Sequence, residues 1–233
     1  MNIDKNTIEY LADKIINDYR VKGKIDWQIF SVDPIILAKM YGYKVNFEKL
    51  GTDELLGFTG FSKSIVTVEM DKVYKDIHLD GKTIVVNSIL LNCSRGELNK
   101  VIAILFSHHI LRSLRPEKYD EKYGDLPVFL EKNTVNDNFE WTVSSLATTI
   151  LMPTEFLEIV FIKTFKTGFM PVLNSALHKD NYIKFCAIAD LFGVTKRDLC
   201  VRLQSEGLLG DFQYCGFEKI LSIRSDLEEC KTA

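Results

Sequence analysis

The run CSRGELNKVIAILFSHHILRSLRP, residues 93 to 116, constrains this chain more than any other stretch. Ser94 and Glu97 have the spacing of a capping box, in which a hydroxyl and a carboxylate three residues on satisfy the free N–H groups of a helix start. Pro116 bounds the far end. Between them Leu98, Val101, Ile102 and Leu105 recur at helical spacing, which makes one stripe of a long helix that lies on a core. Continued, the stripe runs through His108, His109 and Arg112, so it turns polar in its last turns. Such a stripe is either a helix end turning toward solvent or the wall of a site.

The rest of the chain reads as a succession of helical and strand-like patterns. In NTIEYLADKIINDYR, Ile8, Leu11, Ala12, Ile15, Ile16 and Tyr19 follow the helical period behind Asn6 and Thr7 as candidate caps. SVDPIILAKMYG has Asp33 as cap, Pro34 in the first turn and Gly42 as a stop. Tyr43 to Phe47 then alternates like a strand. LGFTGF, SIVTVEM, KVYKDIHL and KTIVVNS are short and rich in Val, Ile, Thr and aromatics, with a tight Asp80-Gly81 turn before the last. The charged PEKYDEKYGD and the polar EKNTVNDN read as loops, and further helices run through FEWTVSSLATTILMP and PTEFLEIVFIKTF. Two capped helices close the pattern, one from Asp180 to Gly193 and one from Thr195, with Asp198 completing a capping box, to Gly207. The fold class expected is α+β, a small, mostly antiparallel sheet packed on a helical core.

Composition narrows the function. The net charge of −3 supplies no general basic field for wrapping nucleic acid. The apolar VIAILF is cut by Ser107, His108 and His109, and MNIDKNTIEY lacks the apolar stretch of a signal peptide, so a cytoplasmic protein with no membrane partner is expected. The five cysteines, at 93, 186, 200, 215 and 230, form no CxxC pair and read as buried or incidental thiols. No GxxxxGK or GxGxxG loop occurs. His78 and His178 have no evident partner. The last helix pair carries Lys196, Arg197 and Arg202, but Asp190, Asp198 and Glu206 offset them, so direct nucleic-acid binding is disfavoured and kept as a second alternative.

Two histidines at i and i+4 on a helix can hold one zinc ion, a glutamate after the first can deprotonate its water, and a third ligand arrives from a later helix. Taken in order, the leading helix, DPIILAKMYGYKV, TIVVNS before the site helix, EWTVSSLATTILMP and LFGVTKRDLCVRLQSEGLL resemble the ImmA/IrrE family of HExxH metallopeptidases over roughly residues 8 to 209. The resemblance implies a zincin-like core over residues 1–170 and a C-terminal helical extension over 171–233, with its helix-turn-helix-like pair on the same body. It also implies a helix-turn-helix repressor, or a related phage or mobile-element regulator, as protein partner.

At the motif the sequence departs from the family. The first histidine falls on His108, the general-base glutamate on His109, the second histidine on Arg112, and the later glutamate on Glu140. Arginine stays protonated and cannot ligate a cation. Sliding the register to His109 puts Ser113 at the second position, and adjacent helical residues point about 100° apart, so His108 and His109 cannot serve together. A catalytically degenerate protein that acts by binding is therefore expected, with His108, His109, Arg112 and Glu140 along its cleft and no cofactor. In place of zinc, Arg112 is expected to pair with Glu140. The alternative is an active zinc metallopeptidase using His108 and Glu140 with a further ligand such as Asp120, Asp125 or Asp137.

Overall fold

In the computed structural model, which describes residues 3–26, 28–70, 73–132 and 138–213, the chain is α+β. The leading helix α1 (Lys5–Gly23) starts at Asp4, whose carboxylate accepts from the Thr7 N–H, two residues before the candidate caps read from sequence. Its buried face is Ile8, Ala12, Ile15, Ile16 and Tyr19. Helix α2 (Pro34–Met40) is capped by Asp33, and Gly42, at φ +82°, turns the chain into β1 (Lys44–Glu48).

The β region divides into two sheets rather than one. Strands β2 (Leu55–Thr59), β5 (Thr83–Asn87) and β6 (Val128–Glu131) join β1 in a mixed sheet of order β1-β5-β2-β6, with β1 parallel to β5 and the other two ladders antiparallel. Strands β3 (Lys63–Met70) and β4 (Val73–Asp80) form a separate antiparallel hairpin. Gly81, at φ +82°, therefore turns the chain from one sheet into the other, and a Cβ there would sit 2.9 Å from the Phe61 carbonyl. Strand β5 is buried at every position, which is why KTIVVNS reads as a continuous apolar run instead of an alternating one.

Helix α3 (Arg95–Leu114) begins at the capping box read from sequence, with both reciprocal bonds formed. Every residue from Val101 to Leu111 is buried, so the helix is covered on all sides for about three turns. It packs on α2, β2 and β5, and on α5 (Asn138–Leu151). At about 1.5–3 kcal/mol for each fully buried large apolar side chain, this one helix supplies a large part of the hydrophobic stabilisation. PEKYDEKYGD, read as a loop, instead forms α4 (Pro116–Tyr123), with Pro116 in its first turn and Gly124 at its end. Met152 and Pro153 break α5 from α6 (Thr154–Phe165), the two axes differing by 55°. No single helix among the described residues is long and apolar enough to cross a membrane.

The closing helices are α7 (Lys179–Phe192) and α8 (Lys196–Ser205), capped at Gly193 and Thr195 much as the sequence indicates. They dock on the start of α3, where Asn99 Nδ2 donates to the Gly193 carbonyl at 2.9 Å. Strands β7 (Met170–Asn174) and β8 (Leu209–Gln213), not read from sequence, flank them as a parallel pair. One cluster of buried side chains runs from Ile8 in α1 through α3 and α5 to Leu209.

Candidate functional site

The polar end of α3 is buried. His108 and His109 are 1% and 5% exposed, and the turn between them sends the two rings to different neighbours. His109 faces the sheet. Its Nε2 lies 2.6 Å from Thr59 Oγ1, while that hydroxyl donates its one hydrogen to the Thr83 carbonyl at 2.8 Å. Thr59 must then accept from His109, which fixes the neutral Nε2–H tautomer. Tyr43 and Phe61 rings pack against the imidazole at 4.3 and 4.9 Å. Burial, reinforced by the Arg112 charge, pushes the His109 pKa down to about 3. The residue at the general-base position is thus a core histidine.

His108 faces α4 and α5. Its Nδ1 is 2.8 Å from the buried Tyr119 hydroxyl, and its Nε2 is 3.9 Å from Glu140 Oε2. Tyr123 and Phe139 complete the aromatic wall around the ring. Burial, then His109 and Lys122, push its pKa down to about 3, so the imidazole is neutral at pH 7. Glu140 stands in the first turn of α5, with the Tyr123 hydroxyl donating to Oε1 and Lys122 Nζ 3.7 Å from the same oxygen. The Lys122 ammonium also lies over the Tyr123 and Phe139 rings, at 4.8 and 4.7 Å. Of the sequence-derived residues, His108 and Glu140 are brought together.

Arg112 goes elsewhere. Its Nε donates to Asp120 at 2.8 Å and its Nη2 to Asp125 at 2.9 Å, with the guanidinium 4.7 Å over the Phe61 ring. The expected Arg112–Glu140 pair is replaced because α4 is a helix: it presents Asp120 to Arg112 and Lys122 to Glu140. Tyr119, Tyr123 and Lys122 were missed by sequence reading. The signal available was the KYDEKY spacing itself, two tyrosines at i and i+4 behind Pro116 and before Gly124.

A zinc site takes three or four protein ligands, and here the donors that converge are His108 Nε2 and one carboxylate. No group of three His, Cys, Asp or Glu among the described residues could hold a metal ion. Asp120 and Asp125 are engaged by Arg112, and Asp137 lies outside the described residues. Lys122 places a positive charge beside Glu140, where a cation would have to compete with it. This donor set does not fit the metal that the family resemblance implies.

A groove of about 610 Å³ runs along α3 from Glu140 toward the start of α8. Val101 and Ile104 of α3, Leu130 of β6 and Leu56 of β2 line it with apolar surface. Lys132 follows β6, Ser144 and Thr148 extend the α5 wall, and Arg197 and Val201 close the α8 end. Strand β6 is an edge of its sheet. Glu140 lies on this groove, whereas His108 and His109 are buried and Arg112 faces α4.

The basic residues of the closing helices are dispersed. The Arg202 side chain is 7% exposed and bonds Glu206 at 2.6 Å and Thr154 at 2.8 Å, so it is not available to a phosphate backbone. Lys196 lies 5.6 Å over the Tyr182 ring, and Arg197 turns to the groove. Elsewhere, His178 Nδ1 accepts from the Asn174 N–H at 3.1 Å, an intrachain partner not read from sequence. No protein-family model, curated protein or solved structure matches the chain.

Proposed function

We propose that this chain is a catalytically degenerate, ImmA/IrrE-like protein of the cytoplasm that acts by binding a regulatory protein, without metal chemistry. One observation carries the reading: His108 and Glu140 converge as a metallopeptidase of that family would require, while α4 fills the space around them with Tyr119, Tyr123 and Lys122. A catalytic metal lowers the pKa of a bound water and needs an open coordination position. Here Lys122 supplies charge balance and Tyr123 a hydrogen bond to Glu140, Tyr119 pairs with His108, and both imidazoles are neutral. The groove beside the site is then the surface left for recognition. Its apolar floor and open edge strand suit a segment of another protein. By the resemblance, that protein is a helix-turn-helix repressor or a related regulator of a phage or mobile element.

The test is isolation of the chain from its own cells with its bound partner, followed by incubation with and without a zinc chelator. A complex that survives the chelator with the partner at full length is the expected result. Cleavage of the partner that the chelator stops would overturn the reading in favour of an active peptidase.

A further inference from the structure

The Lys122 ammonium sits in a corner made of two aromatic rings and a carboxylate. Its Nζ lies 4.8 Å over the Tyr123 ring and 4.7 Å over the Phe139 ring, and the two ring planes meet at 66°. Both π-faces, which carry partial negative charge, therefore turn to the same cation. Glu140 closes the corner with Oε1 at 3.7 Å, and Tyr119 backs it at 5.0 and 5.3 Å from the two ring centroids. The walls are also tied to one another. The Tyr123 hydroxyl donates to Glu140, Tyr119 is bonded to His108, and Tyr119 and Phe139 are buried.

Glu140 is the wall that this corner shares with the groove, at the head of the α5 row Glu140, Ser144 and Thr148. The groove as a whole carries both signs of charge, Glu97, Glu131, Glu140 and Asp198 against Lys100, Lys132 and Arg197, so its net charge selects no partner. The corner does select, because an anion is repelled by two π-faces and a carboxylate and a neutral group draws no charge attraction from them. One carboxylate balances one ammonium there, so a second ammonium arriving along the groove competes with Lys122. The Lys122 side chain is 31% exposed, and its flexible four-carbon stem can carry the ammonium out to water while α4 stays in place.

We propose that Tyr123, Phe139 and Glu140 form a lysine-binding site, filled by Lys122 in the free chain and by a lysine side chain of the bound protein partner in the complex. Replacing one ammonium by another conserves the contacts of the corner, so contacts along the apolar part of the groove decide whether the exchange occurs. The exchange deepens the reading of the groove as a recognition surface and rests on it, whereas the ammonium site does not.

The site is tested on the full-length protein with n-butylammonium, which has the four carbons and the charge of a lysine side chain. Lys122→Ala should unfold at a lower temperature, and butylammonium should raise its midpoint by about 2–4 °C where equal sodium chloride or 1-butanol does not. The rescue should vanish in the Lys122→Ala, Glu140→Gln double variant. Should Lys122→Ala not fold alone, recovery of its helical circular dichroism with butylammonium, and not with butanol, is the expected result. No recovery, or an equal effect of butanol or in the double variant, would overturn the site. The exchange is read by acetylating lysines in the free chain and in the partner complex, with mass spectrometry of the products. Lys122 should react several-fold faster in the complex, with one partner lysine protected; an unchanged or slower Lys122 would overturn the exchange. Chelator-sensitive cleavage of the partner would sink the metal-free reading and leave the butylammonium result standing, so the two failures are told apart.

Discussion

Two adjacent buried histidines make stability depend on pH in a direction that can be worked out. Burial holds both pKa values at about 3, below the unfolded value of about 6.5, so between those limits the unfolded chain binds more protons. Their contribution is complete above about pH 6.5 and is lost as pH falls, at up to ~1.4 kcal/mol per pH unit for each ring. Denaturant unfolding at pH 7, 6 and 5 should show this slope. In His109→Phe the slope should be about halved, and an unchanged slope would mean that His109 is not buried as a neutral ring. At this scale the sequence was partly legible: it located His108 and Glu140 in helices that do bring them together. The partner of Arg112 was not legible, because it depends on a helix whose composition reads as loop.

Helix α4 shows why composition misled. PEKYDEKY is polar on most positions, and what holds it is Tyr119, fully buried against His108, with the Arg112 fork on Asp120 and Asp125. Those carboxylates are 44% and 76% exposed, so the salt bridges are worth only about 0.2–1 kcal/mol each after screening by solvent. Arg112→Ala is therefore expected to speed hydrogen exchange in residues 117–124 by about fivefold, from a loss of ~1 kcal/mol, while the middle of α3 keeps its protection. Equal loosening of both helices would contradict a local latch. The junction of α3 with the closing helices is tighter. A Cβ on Gly96 would sit 2.4 Å from the Val194 backbone carbon, so Gly96→Ala must move one backbone off the other. It is expected to cost about 1–3 kcal/mol, despite the better helix propensity of alanine, and denaturant midpoints measure it. The capping boxes and glycine stops around this junction were readable because they are local signals. Strands β6, β7 and β8 were not, since each is only four or five residues long and is fixed by a distant partner.

For the molecule as a whole, the same buried core that engages α8 also determines what α8 can contact. Arg202 points into it, bonded to Glu206 and Thr154, and the exposed cations that remain are split between the Tyr182 ring and the groove. A duplex-DNA titration at low salt is expected to show no binding that Lys196→Ala and Arg197→Ala weaken. Salt-dependent binding lost in those variants would favour a nucleic-acid function for the closing helices. The α+β class was visible in the order of helical and alternating patterns. The division of the β region into a mixed sheet and a separate hairpin was not, because strand pairing is set by register and by the buried face of β5. The central claim is that His108 and Glu140 are closed by protein groups instead of a metal. Elemental mass spectrometry of protein purified without chelator or affinity tag, with Glu140→Gln alongside, is the test: zinc far below one ion per chain is expected in both, whereas about one ion per chain in the unmodified protein, lost in Glu140→Gln, would mean that a metal closes the site after all.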